Sequence, residues 1–298
     1  MTEQNDLDLM AIIKILLGKK VFIISLTFLF AILSVVYALS LPNKYQAISV
    51  IAPIEQTDNQ STGFTPFSSL GGLMFSGGSS RAQETIEIAK SFALFESLLR
   101  SDESLKIDIF AAESWDQKTN KIKIDKDIYD LNSEKWVRDV KFPKTSEPSN
   151  LEAYQVFRNN YSVDQDRETG FVTIAYSHFS PEKAAYVIES ILEATDGLIR
   201  NKEKLSAKQS IDYLKQQISI TQAPQIKEAL ASLIRSQTQT IMMAEANQDY
   251  LFKVLEPVYI PEIKSEPNRP LICIIVTLFG FIISCLVVLI RFSVDKKN

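Results

Sequence analysis

Two stretches decide the fold: VFIISLTFLFAILSVVYALSL (Val21–Leu41) and PLICIIVTLFGFIISCLVVLI (Pro270–Ile290). Each is 21 residues long and holds no Asp, Glu, Lys or Arg. As a helix rising about 1.5 Å per residue, each reaches roughly 31 Å, the thickness of a bilayer's hydrocarbon core. The sequence therefore reads as a two-span membrane protein. The first stretch contains a loose small-x-small site at Ala38-Leu39-Ser40. It is too long for the core of a signal peptide, which runs to about 15 residues, so an uncleaved anchor is expected.

Working outward, the flanks set the topology. The tail 1–20 carries Lys14, Lys19 and Lys20, and the tail 291–298 carries Arg291, Lys296 and Lys297. Basic residues beside a span hold it on the cytoplasmic side. Both ends are expected in the cytoplasm, and the 228 residues between the spans outside it. That loop takes 26 of the 32 basic and 32 of the 36 acidic residues, and the whole chain has a net charge of −4. A nucleic-acid partner would need a basic face, so none is expected. The only cysteines, Cys273 and Cys285, lie inside the second span and read as small apolar residues of a membrane helix.

The loop opens with KYQAISVIAP (Lys44–Pro53), which places Ala47, Ser49 and Ile51 on one face of a strand. Residues 61–80 hold five of the nine glycines and six serines, a composition that reads as a loop. Its Gly71-Gly72 and Gly77-Gly78 pairs are not followed by Gly-Lys-Ser/Thr, so no phosphate loop is expected. A single helix is predicted over Arg81–Leu99, with Ile88, Phe92, Phe95 and Leu99 on one face. Residues 102–149 are polar, with short strands expected at KIKID and WVRDVKF. Ser149-Asn-Leu-Glu152 is a capping box opening a short helix with Leu151, Tyr154 and Phe157. YSVDQD, the turn Arg167–Gly170 and FVTIAY form a hairpin with Val172, Ile174 and Tyr176 on one face.

Ser180-Pro181 starts a long helix: serine caps, and proline occupies the first helical position. Ala184, Ile188, Ile191, Leu198, Leu205, Ile211, Leu214 and Ile218 maintain a narrow apolar stripe through Gln222, with Gly197 a soft point. Pro224 turns the chain, and Gln225–Phe252 is predicted as a second helix with a thin stripe of its own. Together they form a long antiparallel hairpin that buries little surface alone, so neighbouring copies are expected. Pro257, Pro261, Pro267 and Pro270 stiffen the approach to the second span. Within that span Gly280 and Ser284 make a small-xxx-small pair that lets helices approach closely.

No catalytic, cofactor-binding or metal site is expected. His178 is the only histidine, and a metal or catalytic role would need partners that the sequence does not supply. It reads as a strand-end packing or hydrogen-bonding residue. Asp125, Asp127 and Asp130 alternate with lysines as a solvated face would, without calcium-loop spacing. Arg158, Arg167 and Arg200 read as surface charges.

Nearly the whole chain resembles the chain length determinant family, the Wzz-type polysaccharide co-polymerases. The resemblance is carried in order by DLDLMAIIKILLGKKVFII, KYQAISVIAP, SSLGGL, KSFALFESLL, TGFVTIAYSHFSPEKAA, DYLFKVLEP and PEIKSEPNRP. It implies a non-enzymatic protein of the bacterial inner membrane, with a periplasmic α/β base and a long helical hairpin reaching away. It also implies a homo-oligomeric ring, an octamer by analogy, that works with a polysaccharide polymerase on a lipid-linked glycan and sets its chain length. The family's proline-rich segment maps onto Pro261, Pro267 and Pro270. Its small-residue motif is reduced here to Gly280 and Ser284. Relatives carrying a cytoplasmic kinase continue after the second span, whereas this sequence ends eight residues past it.

The fold class expected is thus an α+β membrane protein. Its parts are a cytoplasmic tail (1–20), a first span (21–41) and an α/β base domain (42–180). The helical hairpin (181–256), a proline-rich connector (257–269), the second span (270–290) and a tail (291–298) complete it. The function expected is regulation of surface-polysaccharide chain length of the O-antigen type. The alternative is an export or adaptor component for capsule or exopolysaccharide. A membrane sensor would need an output domain, which tails of 20 and 8 residues do not hold.

Overall fold

The computed structural model describes residues 16–54, 78–247 and 249–295. In chain order its elements are α1 (Lys20–Ser40), β1 (Tyr45–Pro53), α2 (Gly78–Ala89), α3 (Phe92–Ser101), α4 (Ser104–Phe110), β2 (Ala112–Asp116), β3 (Lys121–Ile124), β4 (Tyr129–Asp130), β5 (Lys135–Trp136), α5 (Asn150–Asn159), β6 (Tyr161–Gln165), β7 (Val172–His178), α6 (Pro181–Ile220), α7 (Pro224–Ala246), β8 (Phe252–Glu256) and α8 (Arg269–Asp295). They form two compact units, Tyr45–Ile263 and the pair of segments Met1–Lys44 and Lys264–Asn298.

The larger unit is built on a four-stranded antiparallel sheet of order β6-β7-β1-β8. Period-two alternation sets its buried face: Ala47, Ser49 and Ile51 of β1 and Val172, Ile174 and Tyr176 of β7 are buried. The base of α6 packs on β1 and β7. Helices α2, α3 and α5 complete the core around Leu94, Phe95, Leu98 and Phe157. Phe157 is its aromatic centre, with ring centroids 4.8 Å from Tyr161, 5.2 Å from Phe95 and 5.4 Å from Tyr176. The β6–β7 turn closes on Gly170 at φ 74°, the left-handed conformation that glycine adopts without penalty.

Several expectations are corrected here. The helix predicted over Arg81–Leu99 is two helices, α2 and α3, broken at Lys90-Ser91. Ser91 caps the second by accepting from Leu94 N at 3.1 Å. The carbonyls ending the first are taken by distant tyrosine hydroxyls: Tyr161 donates to Ala89 O at 3.1 Å, and Tyr154 donates to Lys90 O. Gly78–Ser80, expected in the glycine- and serine-rich loop, belong to α2; the rest of that expectation falls within residues 55–77, which lie outside the described residues. Helix α4, burying Leu105 and Ile109, arises within the segment read only as polar. In the capping-box helix Leu151 is exposed, and Ala153 and Phe157 are the buried residues.

KIKI is indeed β3. Of WVRDVKF only Trp136 lies in a strand, with Lys135. Arg138 is drawn out of any ladder by Glu152 at 2.7 Å, Ser146 O at 2.8 Å and Thr145 O at 2.9 Å. Helix α6 runs unbroken for 40 residues, about 60 Å, through Gly197. Helix α7 stops at Ala246 rather than Phe252, because Phe252–Glu256 pairs with β1.

In the smaller unit α1 and α8 pack on each other. Both helices are long and apolar enough to cross a membrane. Only 17% of each apolar window is buried, the reverse of a soluble core helix. Val21, Ile24, Phe28, Ile274, Leu278 and Phe279 are exposed, as side chains facing lipid would be.

Candidate membrane-coupling site

The second span's two small residues sit on the contact with the first. A Cβ placed on Gly280 would fall 2.5 Å from Phe30 Cβ and 2.6 Å from Phe30 Cγ, so only glycine fits there. One turn on, Ser284 is fully buried, and its Oγ lies 3.4 Å from Thr27 Oγ1. Each hydroxyl also donates to its own helix, Ser284 to Phe281 O at 2.7 Å and Thr27 to Ile23 O at 2.8 Å. Neither of these two hydroxyls is therefore left unpaired in an apolar setting. The first span's share of this seam, Thr27, Phe30, Ser34 and Ala38, was missed from sequence. Ser34 and Ala38, both buried, form a small-xxx-small pair that marks it.

The three prolines do not act as one segment. Pro261 is buried in the larger unit, whereas Pro267 and Pro270 belong to the smaller one, Pro270 in the first turn of α8. The strand-like end of the connector bridges back to Lys44. Lys44 N donates to Glu266 O at 2.9 Å, and Ser265 N donates to Lys44 O at 2.9 Å. Beside this bridge is Arg269, also missed from sequence. Its Nη2 donates to Asn43 Oδ1 at 3.0 Å and to Leu41 O at 3.3 Å. Its Nε is buried without an acceptor.

In the larger unit the polar residues singled out above serve the fold. His178 is buried; its Nδ1 accepts from Ser180 N at 3.1 Å, so the proton sits on Nε2, which donates to Asp108 O at 3.0 Å. Burial is the main cause that pulls its pKa below the usual histidine range. Lys183 pairs with Asp108 at 2.7 Å beside it. The ring thus pins the start of α6 to α4, the hydrogen-bonding role expected of it. Asp125 and Asp130 brace their own turns, accepting from Asp127 N at 2.9 Å and Asn132 N at 3.0 Å.

Arg200 is not the surface charge expected. It pairs with Asp196 on α6 and donates to Ala244 O and Asn247 O, tying the end of α7 to α6. Arg167 is exposed in the hairpin turn, and Arg158 lies over the Tyr154 ring, 5.8 Å from its centroid. Glu152, which closes the capping box, is held well below the usual carboxylate range, at about 2. Arg138 is the main cause, with Lys144 and the Ser149 amide adding to it.

Comparison with known proteins agrees with the family read from the sequence. Residues 5–103 match the sequence model of the Wzz family, described as chain length determinant protein. That third of the chain carries the family's pattern. Among solved structures the chain is similar to a full-length bacterial polysaccharide co-polymerase, at 14% identity over 98% of each chain and a TM-score of 0.38. It is also similar to a fragment of WzzB, a polysaccharide co-polymerase from Salmonella Typhimurium. The identity is 10% over 75% of this chain and 100% of that one, with a TM-score of 0.31. A comparison with curated protein sequences gives no match.

Proposed function

We propose that the protein regulates the chain length of a lipid-linked surface polysaccharide of the O-antigen type, as a non-catalytic scaffold for the polymerase. The match of residues 5–103 to the chain length determinant family carries this reading. The architecture supports it: two apolar helices packed as a pair, and a separate unit whose 40-residue helix continues far beyond its core. On this reading the spans lie in a bacterial inner membrane with both termini cytoplasmic, and the larger unit is periplasmic. The protomers form a homo-oligomeric ring, taken as an octamer from the family resemblance. The polymerase and the lipid-linked glycan are its partners.

The residues taken to serve membrane coupling and span packing are Pro261, Pro267, Pro270, Gly280 and Ser284. Its test is a gel profile of surface polysaccharide from a deletion strain complemented with wild type, Gly280→Leu or Pro267→Ala at matched expression. Leucine at 280 forces Phe30 and the two spans apart, and lipid offers no compensating hydrophobic gain. Alanine at 267 widens the connector's backbone freedom without removing a side-chain contact of the larger unit. The preferred length should broaden or vanish in both. Wild-type banding from both would make the spans an anchor only and place length control in the larger unit.

A further inference from the structure

Helix α6 carries a glycine, Gly197, in the interior of its 40 residues. Glycine at such a position weakens a helix relative to alanine. A Cβ built on it would meet nothing within 4 Å, so no contact inside the protomer calls for a bare backbone there. That backbone instead lines a groove of about 420 Å³ between α6 and the corner where α3 passes into α4. Small-molecule sites commonly run from about 300 to 1,000 Å³.

The chemistry of the lining is one-sided. Leu98, Leu105 and Leu198 supply its apolar part. Asp102 and Glu193 bring two carboxylates, and no lysine or arginine among the described residues lines the groove. Ser101 Oγ donates to Ser97 O at 3.1 Å and Ser190 Oγ donates to Tyr186 O at 2.9 Å, so each offers a ligand its lone pairs. Asp102 is fixed at the groove's edge by Ser104 N at 2.9 Å and Ser104 Oγ at 2.6 Å. Tyr186 lines the same groove and is 41% exposed. Lys183 lies over one face of its ring, 5.4 Å from the centroid, and is itself paired with Asp108 at 2.7 Å.

A groove rich in acceptors and without a cation repels anions and selects a ligand rich in O–H or N–H donors. An aromatic ring beside leucine side chains receives an apolar ring face. A pyranose has both: hydroxyls around its rim and C–H groups on its face. We propose that the groove between α3 and α6 binds one or two sugar rings of a neutral saccharide. The C–H face lies on Tyr186 and Leu198, the hydroxyls donate to Glu193 and Asp102, and the bare backbone of Gly197 admits the ring. The choice of a saccharide over a polyamine rests on the glycan reading above; the groove and its acceptor character do not.

The test uses the full chain in phospholipid nanodiscs, free of sugar detergents, and saturation-transfer difference NMR. The probes are the delipidated surface polysaccharide of the source strain, cut by mild acid to one to four repeats, and spermidine. Wild type should bind the saccharide. Gly197→Leu fills the groove from open space, so it should lower that affinity by tenfold or more while the melting temperature holds or rises. Glu193→Gln should lower it roughly tenfold, the loss of one charged acceptor. Binding of spermidine in place of the saccharide overturns the ligand class. Binding of neither, or saccharide binding unchanged in both variants, overturns the site. Loss of assembly in Gly197→Leu with saccharide binding unchanged assigns the groove to a neighbouring copy and overturns it as well. The surface-polysaccharide profile of the deletion strain is read separately. A changed profile without saccharide binding removes the groove alone, and binding with an unchanged profile removes length control alone.

Discussion

At the scale of single residues, the larger unit concentrates its stability in a few side chains that touch several elements at once. Phe157 is one: its ring meets Phe95, Tyr161 and Tyr176, which come from α3, β6 and β7. Truncation leaves a hole walled by rigid rings, so Phe157→Ala should cost about 3–5 kcal/mol. Chemical denaturation of the detergent-solubilised chain, followed by near-ultraviolet circular dichroism, measures this. A loss below about 1 kcal/mol would mean that the site collapses freely. Glu152 is another. Its carboxyl sits at about 2 in the fold against an ordinary value of 4.5, so the stability it contributes is present above pH 4.5 and drains away as pH falls toward 2. The full shift corresponds to about 3 kcal/mol, trimmed to roughly 1–2 by solvent screening. Glu152→Gln should flatten the stability profile between pH 4.5 and 2. The acid loss that begins near pH 6.5 should remain, because His178, neutral when folded, still gains a proton on unfolding.

At the scale of elements, the helical hairpin changes character along its length. The first five turns of α6 bury Ala184, Val187, Ile188, Ile191, Thr195 and Ile199, but beyond them only Ala207 and Leu214 are buried. On α7 only Ala244 is buried. Leu205, Tyr213, Ile220, Ile226 and Leu233 stand exposed. Arg200 fastens α7 at its C-terminal end, collecting two carbonyls there while pairing with Asp196, and the Lys204–Glu245 ion pair at 3.0 Å adds to it. Asp196 in turn accepts from Leu251 N at 3.1 Å, where the chain turns into β8. Arg200→Met should release this corner. Hydrogen exchange at 243–247 should quicken by tenfold or more, as expected for a charged hydrogen bond of about 1.5–3 kcal/mol. Exchange in β1 and β7 should not change. Equal protection in mutant and wild type would mean that the Lys204–Glu245 ion pair and side-chain packing hold α7 without Arg200.

At the scale of the whole molecule, the exposed apolar side chains of the hairpin are the feature to explain. A long helix pair with a thin seam and scattered exposed leucine, isoleucine and tyrosine is poorly supported as an isolated protomer. Side-by-side assembly would cover those residues, and the proposed ring predicts it. Light scattering of the solubilised full chain should give a protein mass several times the 33.6 kDa of one copy. A protomer mass across a wide concentration range would remove the ring. The topology is tested in the same way as a whole. Alkaline phosphatase joined after Lys144 should be active and joined after Asn298 inactive, and the opposite pattern would invert the orientation argued from the flanking lysines and arginines.

The sequence by itself determined whatever depends on local or periodic physics. Twenty-one residues without a charge make a span-length helix whatever surrounds them. Ser149…Glu152 and Ser180-Pro181 cap helices through bonds to neighbours three residues away. Gly170 closes a hairpin whose alternation already names the buried face. Only the tertiary structure decided matters that depend on residues far apart in the chain. The break at Lys90-Ser91 depends on tyrosines more than sixty residues away. The early end of α7 depends on β1 offering Phe252–Glu256 an edge and on Arg200 taking the last carbonyls. Of the membrane-coupling site, Gly280 and Ser284 were legible as small residues in an apolar run. Their partners Phe30 and Thr27, and the hold of Arg269 on Asn43 and Leu41 O, were not, because a side chain's partner is a fact of three-dimensional contact, and spacing along one span says nothing about which residue of the other it meets.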